Sequence, residues 1–111
     1  MATCAAQNPT FFSYHRENIN GVKIFYRMAG NPHNPAIVLL HGFPSSSVMY
    51  QGLMELLKKD FFLIAPDYPA HGYSDVPSSE NYQLTFDNIS NSVDSLLNKL
   101  GIHKYSLFMQ D

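Results

Sequence analysis

The chain has 111 residues, of which 45% are hydrophobic and 14% are charged, so it contains enough apolar material for one globular domain with a core. A net charge of -2 provides no basic surface, and we expect neither nucleic acid nor a membrane as a partner. A single cysteine, an N-terminus without a signal-peptide pattern and the lack of any apolar run near ~20 residues predict a cytoplasmic protein without a membrane span.

The first elements are predicted to be two antiparallel strands. After an irregular leader at residues 1–13, the segments 14–18 and 22–28 have strand composition and flank Asn20 and Gly21. Glycine readily adopts the positive φ that a tight hairpin turn requires. We therefore expect a β-hairpin, followed by a turn rich in Asn and Pro.

The next segment predicts a change to a parallel sheet. Ala36–Leu40 is an unbroken apolar run, which is typical of a strand covered on both faces. A helix of about three turns is expected next, with serines at residues 45–47 as N-cap candidates. Its apolar face is expected to contain Met49, Leu53, Leu56 and Leu57. Residues 61–65 repeat the pattern of a buried strand.

The second half of the chain is predicted to contain a loop, a helix and a strand. Residues 66–79 hold too many Pro and Gly residues for a regular element, and we expect a surface loop. Thr85 is the expected N-cap of a second helix that ends at Gly101. The expected apolar face of this helix consists of Phe86, Ile89, Val93, Leu96, Leu97 and Leu100. With a last strand at 105–109, the predicted order is β-β-β-α-β-α-β, in one α/β domain at residues 14–111.

Three segments lie just past the ends of the predicted parallel strands, at residues 40–44, 65–67 and 110–111. Ligands bind at this edge of open α/β sheets. Functional residues are therefore expected in these three segments.

The first of these segments contains His41-Gly42-Phe43-Pro44 and connects a strand to a helix. The N-terminus of a helix carries exposed N–H groups and a positive partial charge, so it favours anions. In one interpretation, the backbone N–H of Phe43 is a donor of an oxyanion hole. In the other, Gly and Pro only form a tight turn, and spacing alone does not separate the two.

Asp111 directly follows a predicted strand, where a sharp turn can expose a carboxylate to substrate. Carboxylates can act as nucleophiles that form covalent ester intermediates. Spacing alone favours a simpler interpretation, in which Asp111 is an ordinary polar residue at the end of a strand.

Three motifs occur in a characteristic order and at suitable distances. They are Leu40-His-Gly-Phe-Pro-Ser-Ser-Ser47, Ile64-Ala-Pro-Asp-Tyr-Pro-Ala-His-Gly-Tyr-Ser-Asp75 and Leu107-Phe-Met-Gln-Asp111. Together these motifs resemble the first half of the α/β-hydrolase fold, in the branch that contains haloalkane dehalogenases, epoxide hydrolases and fluoroacetate dehalogenase. The resemblance covers about residues 14–111. It implies a mostly parallel sheet with an antiparallel N-terminal hairpin, the strand order 1-2-4-3-5 and helices on both faces.

The resemblance implies a role for each residue that matches a family motif. Asp111 matches the nucleophile, and Phe43 matches the residue whose backbone N–H helps to form the oxyanion hole. His41 matches a histidine that shapes this loop and is not the catalytic base. Asp67 is expected to anchor a loop, because the acid of this family follows the nucleophile in the chain.

The resemblance also implies what the rest of the reaction requires. Gly42 and Pro44 are expected to support the site, whereas the second oxyanion donor, the acid, the histidine base and a cap domain would follow Asp111. Attack by Asp111 on a small organic substrate would give an alkyl-enzyme ester, and the isolated chain is expected to be inactive. Phe43 stands where some dehalogenases have a halide-binding Asn, but Met-Gln-Asp resembles the dehalogenase motif, so the substrate stays open. Ala70 occupies a position where the family often has Gly.

No metal or other cofactor is expected, because no pair of His or Cys residues has ligand spacing with a supporting carboxylate. Two other interpretations stay open. If residues 105–111 lie at an exposed sheet edge, their unpaired backbone groups predict a binding or regulatory module, or self-association. An anion-binding domain that uses the helix start after His41 predicts affinity for phosphate or sulfate.

Overall fold

The computed structural model describes residues 12–110. The strands are β1 (Phe12–Ile19), β2 (Val22–Ala29), β3 (Ala36–Leu40), β4 (Phe62–Pro66) and β5 (Ser106–Met109). A 3-10 turn at Ser47–Tyr50 leads into helix α1 (Gln51–Leu57), and helix α2 spans Phe86–Lys99. The predicted order of elements is confirmed.

All the strands form one sheet, in the order β1-β2-β4-β3-β5. The neighbours β1, β2 and β4 are antiparallel, whereas β4, β3 and β5 run parallel. This is the order that the family resemblance implied, so the predicted α/β-hydrolase topology is confirmed. The strand β1 begins earlier than predicted, at Phe12, because Phe12 pairs with Ala29 of β2.

The hairpin between β1 and β2 closes through a turn of two residues. Asn20 and Gly21 both have positive φ, at 54° and 90°. The side-chain oxygen of Asn18 accepts a hydrogen bond from the backbone N–H of Gly21 at 2.8 Å. Asn tolerates the left-handed region better than most residues, so an Asn-Gly pair suits a turn in which both residues adopt it.

One helix covers each face of the sheet. On one face, α1 packs over Leu39 and Leu63, and on the other, α2 packs over Val38 and Ile64. Successive side chains of a strand point to opposite faces, so β4 contributes to both layers. All its residues are buried accordingly.

The first helix differs from its prediction in length and in phase. Only Gln51–Leu57 is α-helical, which is about two turns instead of three. Ser46 is the N-cap of the preceding 3-10 turn and accepts a hydrogen bond from the Val48 N–H at 3.4 Å. A 3-10 turn has about 3.0 residues per turn instead of 3.6, which rotates the residues that follow. Met54 is consequently fully buried, whereas Leu56 is 78% exposed and was wrongly predicted to face the core.

Helix α2 begins and ends close to the predicted positions. The Thr85 hydroxyl accepts a hydrogen bond from the Asn88 N–H at 3.1 Å, and Gly101, with a φ of 76°, follows the last turn. The buried residues are Ser92, Val93, Leu96 and Leu97. Phe86 is 93% exposed, so its predicted place in the apolar face is wrong, because the first turn lies ahead of the part that packs on the sheet. Neither helix within residues 12–110 combines the length and the apolar composition needed to cross a membrane.

Strand β5 lies at an edge of the sheet, next to β3. Every residue of β5 is exposed. Leu107, Phe108 and Met109 are 55%, 48% and 66% exposed. The predicted last strand is thus present, and both of its faces are largely open.

Candidate active site

The backbone carbonyl of Leu40, at the carboxyl end of β3, connects two parts of the site. It accepts hydrogen bonds from the Tyr50 hydroxyl at 2.6 Å and from the backbone N–H of Gln110 at 3.2 Å. Gln110 directly precedes the predicted nucleophile Asp111, which lies outside the described residues. The carboxyl ends of β3 and β5 therefore meet at the edge where open α/β sheets bind ligands.

His41 is 2% exposed, and both of its ring nitrogens form hydrogen bonds. Its Nε2 accepts a hydrogen bond from the backbone N–H of Tyr68 at 3.1 Å, so the proton lies on Nδ1, which donates to the Gly42 carbonyl at 2.9 Å. Burial lowers the pKa of His41, and the nearby His71 lowers it further. The hydrogen bond to the Gly42 carbonyl and the charge of Asp67 raise the pKa, but the net shift is downward. The imidazole is thus neutral, and both of its ring nitrogens are used in hydrogen bonds within the chain, which suits a structural role.

The ring of His41 belongs to an aromatic group at the carboxyl edge of the sheet. The ring centres of Tyr68 and His71 lie 3.9 Å and 5.3 Å from that of His41. His71 also contacts Phe43 edge-on, with ring centres 6.0 Å apart. Burial raises the pKa of Tyr68 to about 12, so its hydroxyl stays protonated at neutral pH. The rings of His41, His71 and Tyr68 therefore support the base of the loop, while Phe43 is 80% exposed.

The predicted oxyanion loop contains Gly42, Phe43 and Pro44. Gly42 is buried, Pro44 is exposed, and the peptide bond between Phe43 and Pro44 is cis. Among the backbone hydrogen bonds of residues 12–110, none uses the N–H of Phe43 as its donor. An oxyanion donor must be free to bind substrate oxygen, so the geometry permits the predicted role of Phe43.

Asp67, directly after β4, is fully buried and connects two loops. Its carboxylate accepts hydrogen bonds from the backbone N–H of Ser47 at 2.6 Å and of Tyr73 at 2.9 Å. Its carbonyl accepts a hydrogen bond from the Ser74 hydroxyl at 2.7 Å, and its N–H donates to the Phe25 carbonyl at 2.8 Å. Every one of these contacts fixes a loop or strand, and none leaves the carboxylate facing a ligand.

The loop after β4 packs into the fold, and the prediction of a surface loop at residues 66–79 is wrong for part of it. Its buried residues are Asp67, Pro69 and Ser74. Gly72 lies so close to Asp67 that a Cβ atom there would be 2.1 Å from the carboxylate, so only glycine fits. Ala70 has a φ of 69°, a conformation in which glycine would be less strained.

Arg27 of β2 was not predicted as a residue of this site. It is 6% exposed, and its Nε donates a hydrogen bond to the Ser47 hydroxyl at 2.8 Å. A second nitrogen donates to the Gln51 side-chain oxygen at 2.8 Å. The guanidinium lies 5.2 Å from the ring centre of Tyr14 and 5.3 Å from that of Phe25, which are cation–π distances. Arg27 therefore connects β2 to the 3-10 turn that follows the predicted oxyanion loop.

Ser47 was predicted only as a possible helix cap, and the structure gives it a different place. It is fully buried, its hydroxyl contacts Arg27, and its backbone N–H contacts Asp67. The buried cation of Arg27 and the buried anion of Asp67 thus both form hydrogen bonds with Ser47. Strand alternation contained a signal for this cluster, because positions 25, 27 and 29 share a face, and a charged residue at position 27 needs a buried partner.

The described part of the site brings His41, Phe43 and Asp67 together at the carboxyl edge of the sheet. His41 and Asp67 are used in internal hydrogen bonds, and Phe43 presents a backbone donor. Within residues 12–110, no group of three or more His, Cys, Asp or Glu side chains could hold a metal ion. The backbone N–H of Gln110, the last described residue, is bonded to the Leu40 carbonyl at the start of the segment that contains Phe43.

Known proteins share both the sequence and the fold. A family model described as alpha/beta hydrolase fold matches residues 35–108. An uncharacterized hydrolase of Saccharomyces cerevisiae is 43% identical over 99 residues, which are 88% of this chain and 33% of the yeast protein. A haloalkane dehalogenase loop variant from Bradyrhizobium elkanii is 31% identical with a TM-score of 0.84, over 90% of this chain and 32% of that one. An epoxide hydrolase from Vigna radiata shares the fold, at 24% identity and a TM-score of 0.78 over 90% of this chain and 32% of that one.

The chain spans about a third of the length of each of these relatives. The match to the family model begins just before β3 and ends within β5, so it includes the loops that carry His41, Phe43 and Asp67. On this basis the chain belongs to the alpha/beta hydrolase fold family.

Proposed function

We propose that this chain is the nucleophile-bearing part of a hydrolase that opens an epoxide or a carbon–halogen bond through an alkyl-enzyme ester on Asp111. The hydrogen bond from the Gln110 N–H to the Leu40 carbonyl, at 3.2 Å, is the observation that carries the proposal. It holds the residue before Asp111 at the root of the loop that presents the Phe43 N–H. The similarity to a haloalkane dehalogenase and an epoxide hydrolase supports the two substrate classes.

The proposed reaction has two steps. A carboxylate oxygen of Asp111 attacks the substrate carbon, so a C–O bond forms while the carbon–halogen or epoxide C–O bond breaks. The electron pair of the broken bond departs with the halide ion, or it remains on the epoxide oxygen, which stays attached to the alkyl group as an alkoxide and takes up a proton. Water then attacks the ester carbonyl carbon and loses its proton to a histidine base that would follow Asp111, while the Phe43 N–H stabilises the oxyanion. The bond between the acyl carbon and the ester oxygen then breaks, the alcohol or diol leaves with the proton from the histidine, and the Asp111 carboxylate is restored. Loss of one such donor typically slows a reaction about a hundredfold or more.

This mechanism predicts that the isolated chain is alkylated but does not turn over. Asp111 can form the ester, but the step that hydrolyses it requires the base. We expect incubation with 1-bromobutane or styrene oxide to add one alkyl group at Asp111, detected by mass spectrometry of the C-terminal peptide. Released alcohol or diol should not exceed one equivalent.

Two substitutions make this test specific. Asp111→Asn should abolish the adduct, whereas Asp94→Asn, which changes an exposed aspartate on α2, should leave it unchanged. Equal labelling of Asp94 and Asp111 would contradict the assignment of the nucleophile. Multiple turnover that Asp111→Asn abolishes would contradict the inactivity of the isolated chain.

A second candidate function is a non-catalytic binding or regulatory module that uses the edge strand β5. The observation that favours it is the exposure of every residue of β5 at the edge of the sheet. An alkylated Asp111 supports the enzyme. A chain that is never alkylated but forms a defined complex through β5 supports the module.

We also infer a cytoplasmic location. The single cysteine of the sequence, Cys4, has no partner for an intramolecular disulfide, which is typical of proteins from reducing compartments. A tagged chain is expected in the cytoplasmic fraction of cells. Its recovery from the secretory pathway would contradict this location.

A further inference from the structure

The loop that contains Phe43 is attached to the rest of the fold at both of its ends. At the first end, the Leu40 carbonyl accepts a hydrogen bond from the Tyr50 hydroxyl at 2.6 Å. At the second end, Ser47 is fully buried and is the first residue of the 3-10 turn. Only three residues separate Phe43 from Ser47 in the chain, so the position of Ser47 constrains that of Phe43.

Strand β2 holds Ser47 along two separate routes. In the first, the Nε atom of Arg27 donates a hydrogen bond to the Ser47 hydroxyl at 2.8 Å. In the second, the Ser47 N–H donates to the Asp67 carboxylate at 2.6 Å, and the Asp67 N–H donates to the Phe25 carbonyl at 2.8 Å. Because Phe25 and Arg27 both belong to β2, this strand determines where the 3-10 turn begins.

The guanidinium of Arg27 is itself held in one orientation. Its second nitrogen donates a hydrogen bond to the Gln51 side chain at 2.8 Å, and the side chain as a whole is 6% exposed. The rings of Tyr14 and Phe25 lie at cation–π distances from it. A lysine carries a point charge instead of a rigid planar fork, so it cannot reproduce both hydrogen bonds. The first route therefore depends on the guanidinium geometry.

We propose that Arg27 is a positioning residue for the Phe43 N–H, the proposed oxyanion donor, and that it acts through Ser47. Such a donor contributes most when it already points to the place where negative charge develops. A displacement of ~1 Å by a distant substitution can cost about a hundredfold in rate. The consequence for catalysis rests on the proposed function, whereas the rigidity of the loop can be measured without any reaction.

Nitrogen-15 relaxation of the Phe43 N–H measures how firmly this donor is held. A rigid backbone has an order parameter of about 0.85, and a flexible one has a value below about 0.6. We expect the rigid value in the unmodified chain and a decrease toward the flexible value in Arg27→Met, Arg27→Lys and Ser47→Ala. Combining Arg27→Met with Ser47→Ala should cause no further decrease, because both substitutions break the same hydrogen bond.

The control for a general loss of stability is Val93→Ala. This substitution removes buried apolar contacts of α2 on the opposite face of the sheet, far from the Phe43 loop. The order parameter of Phe43 should keep its rigid value in this variant. An unchanged order parameter in every variant of Arg27 and Ser47, or an equal decrease in Val93→Ala, would overturn the proposal.

The alkylated chain tests the consequence for the ester on Asp111. The nitrogen of added hydroxylamine attacks the acyl carbon of this ester, and the intermediate carries an oxyanion. The bond between the acyl carbon and the ester oxygen then breaks, the alcohol leaves with the proton from the nitrogen, and a hydroxamate remains on Asp111. Mass spectrometry of the C-terminal peptide follows this conversion, which requires no histidine base.

We expect the conversion to be about tenfold slower in Arg27→Lys than in the unmodified chain, and unchanged in Val93→Ala. Equal rates in all these chains, once the ester has formed, would overturn the positioning role. A chain that forms no ester contradicts the proposed function, and the order parameter of Phe43 then decides by itself whether Arg27 positions the loop.

Discussion

Arg27 and Asp67 carry opposite charges and are both nearly or fully buried. They interact through Ser47, and the salt bridges found within residues 12–110 do not join them directly. A buried charge is expensive unless hydrogen bonds and opposite charges offset its desolvation. The cluster of Arg27, Ser47 and Asp67 should therefore be sensitive to the loss of any one member.

Arg27→Met is expected to lower the free energy of unfolding by about 2–3 kcal/mol, because Asp67 then lacks its nearby cation and the Ser47 hydroxyl loses a donor. The matched control is Lys99→Met, which removes a half-exposed cation from its pair with Glu17 and should change stability by less than about 1 kcal/mol. Urea denaturation followed by circular dichroism measures both. Equal effects would show that burial of the Arg27 charge is unimportant.

The neutral state of His41 predicts a pH dependence of stability. Burial lowers its pKa in the folded chain from the usual value of 6.5. As the pH falls below 6.5, the unfolded chain binds a proton at His41, whereas the folded chain does not. The free energy of unfolding therefore decreases until the pH reaches the lowered pKa of the folded chain. Each unit by which the pKa of His41 is lowered corresponds to about 1.4 kcal/mol of the free energy of unfolding.

Urea denaturation at pH 7.5 and pH 5.5 measures this decrease. His41→Gln should make the difference between the two pH values smaller. His33→Gln, at an exposed histidine in the turn before β3, should leave the difference unchanged. An unchanged difference in His41→Gln would show that His41 accepts a proton in the folded chain.

At the scale of elements, the loop after β4 contains two left-handed positions that respond in opposite ways to substitution. Ala70→Gly is expected to stabilise the chain by about 0.5 kcal/mol, because relief of roughly 1–2 kcal/mol of left-handed strain exceeds the added backbone entropy of about 1 kcal/mol. Gly72→Ala should destabilise it by more, because the Cβ atom would lie 2.1 Å from the Asp67 carboxylate. Thermal unfolding compares the two variants, and a destabilising Ala70→Gly would contradict the strain at Ala70.

The hairpin, the buried strand β4 and helix α2 could be predicted because their signals are local. Asn20-Gly21 specifies a turn, five apolar residues specify a covered strand, and Thr85 and Gly101 delimit a helix. The phase of α1 could not be predicted, because it depends on a 3-10 turn whose first residue, Ser47, is held by Arg27 of β2 and by Asp67 in the loop after β4. The same holds for the site. The order of the motifs predicted which loops form it, whereas the part of Arg27 depends on tertiary contacts with Ser47 and Gln51.

At the scale of the whole molecule, the proposed oxyanion donor and the proposed nucleophile rest on different observations. The Phe43 loop is held by contacts within residues 12–110, whereas Asp111 lies outside the described residues and only its neighbour Gln110 is described. The chain spans about a third of the relatives it matches, and the base and acid of the proposed reaction are expected beyond that third. The motif resemblance and the position of Gln110 support the proposed role of Asp111, whereas the loop geometry permits the proposed role of Phe43.

The carbonyl of Leu40 has two donors, and they belong to different parts of the fold. Fraying of β5 would break the bond from Gln110, but the Tyr50 hydroxyl, 2.6 Å away, would still hold the carbonyl. Local opening at the edge strand and opening of the His41–Pro44 segment are therefore separate events with separate free energies. The strand β5 can therefore open locally while the His41–Pro44 segment keeps its position.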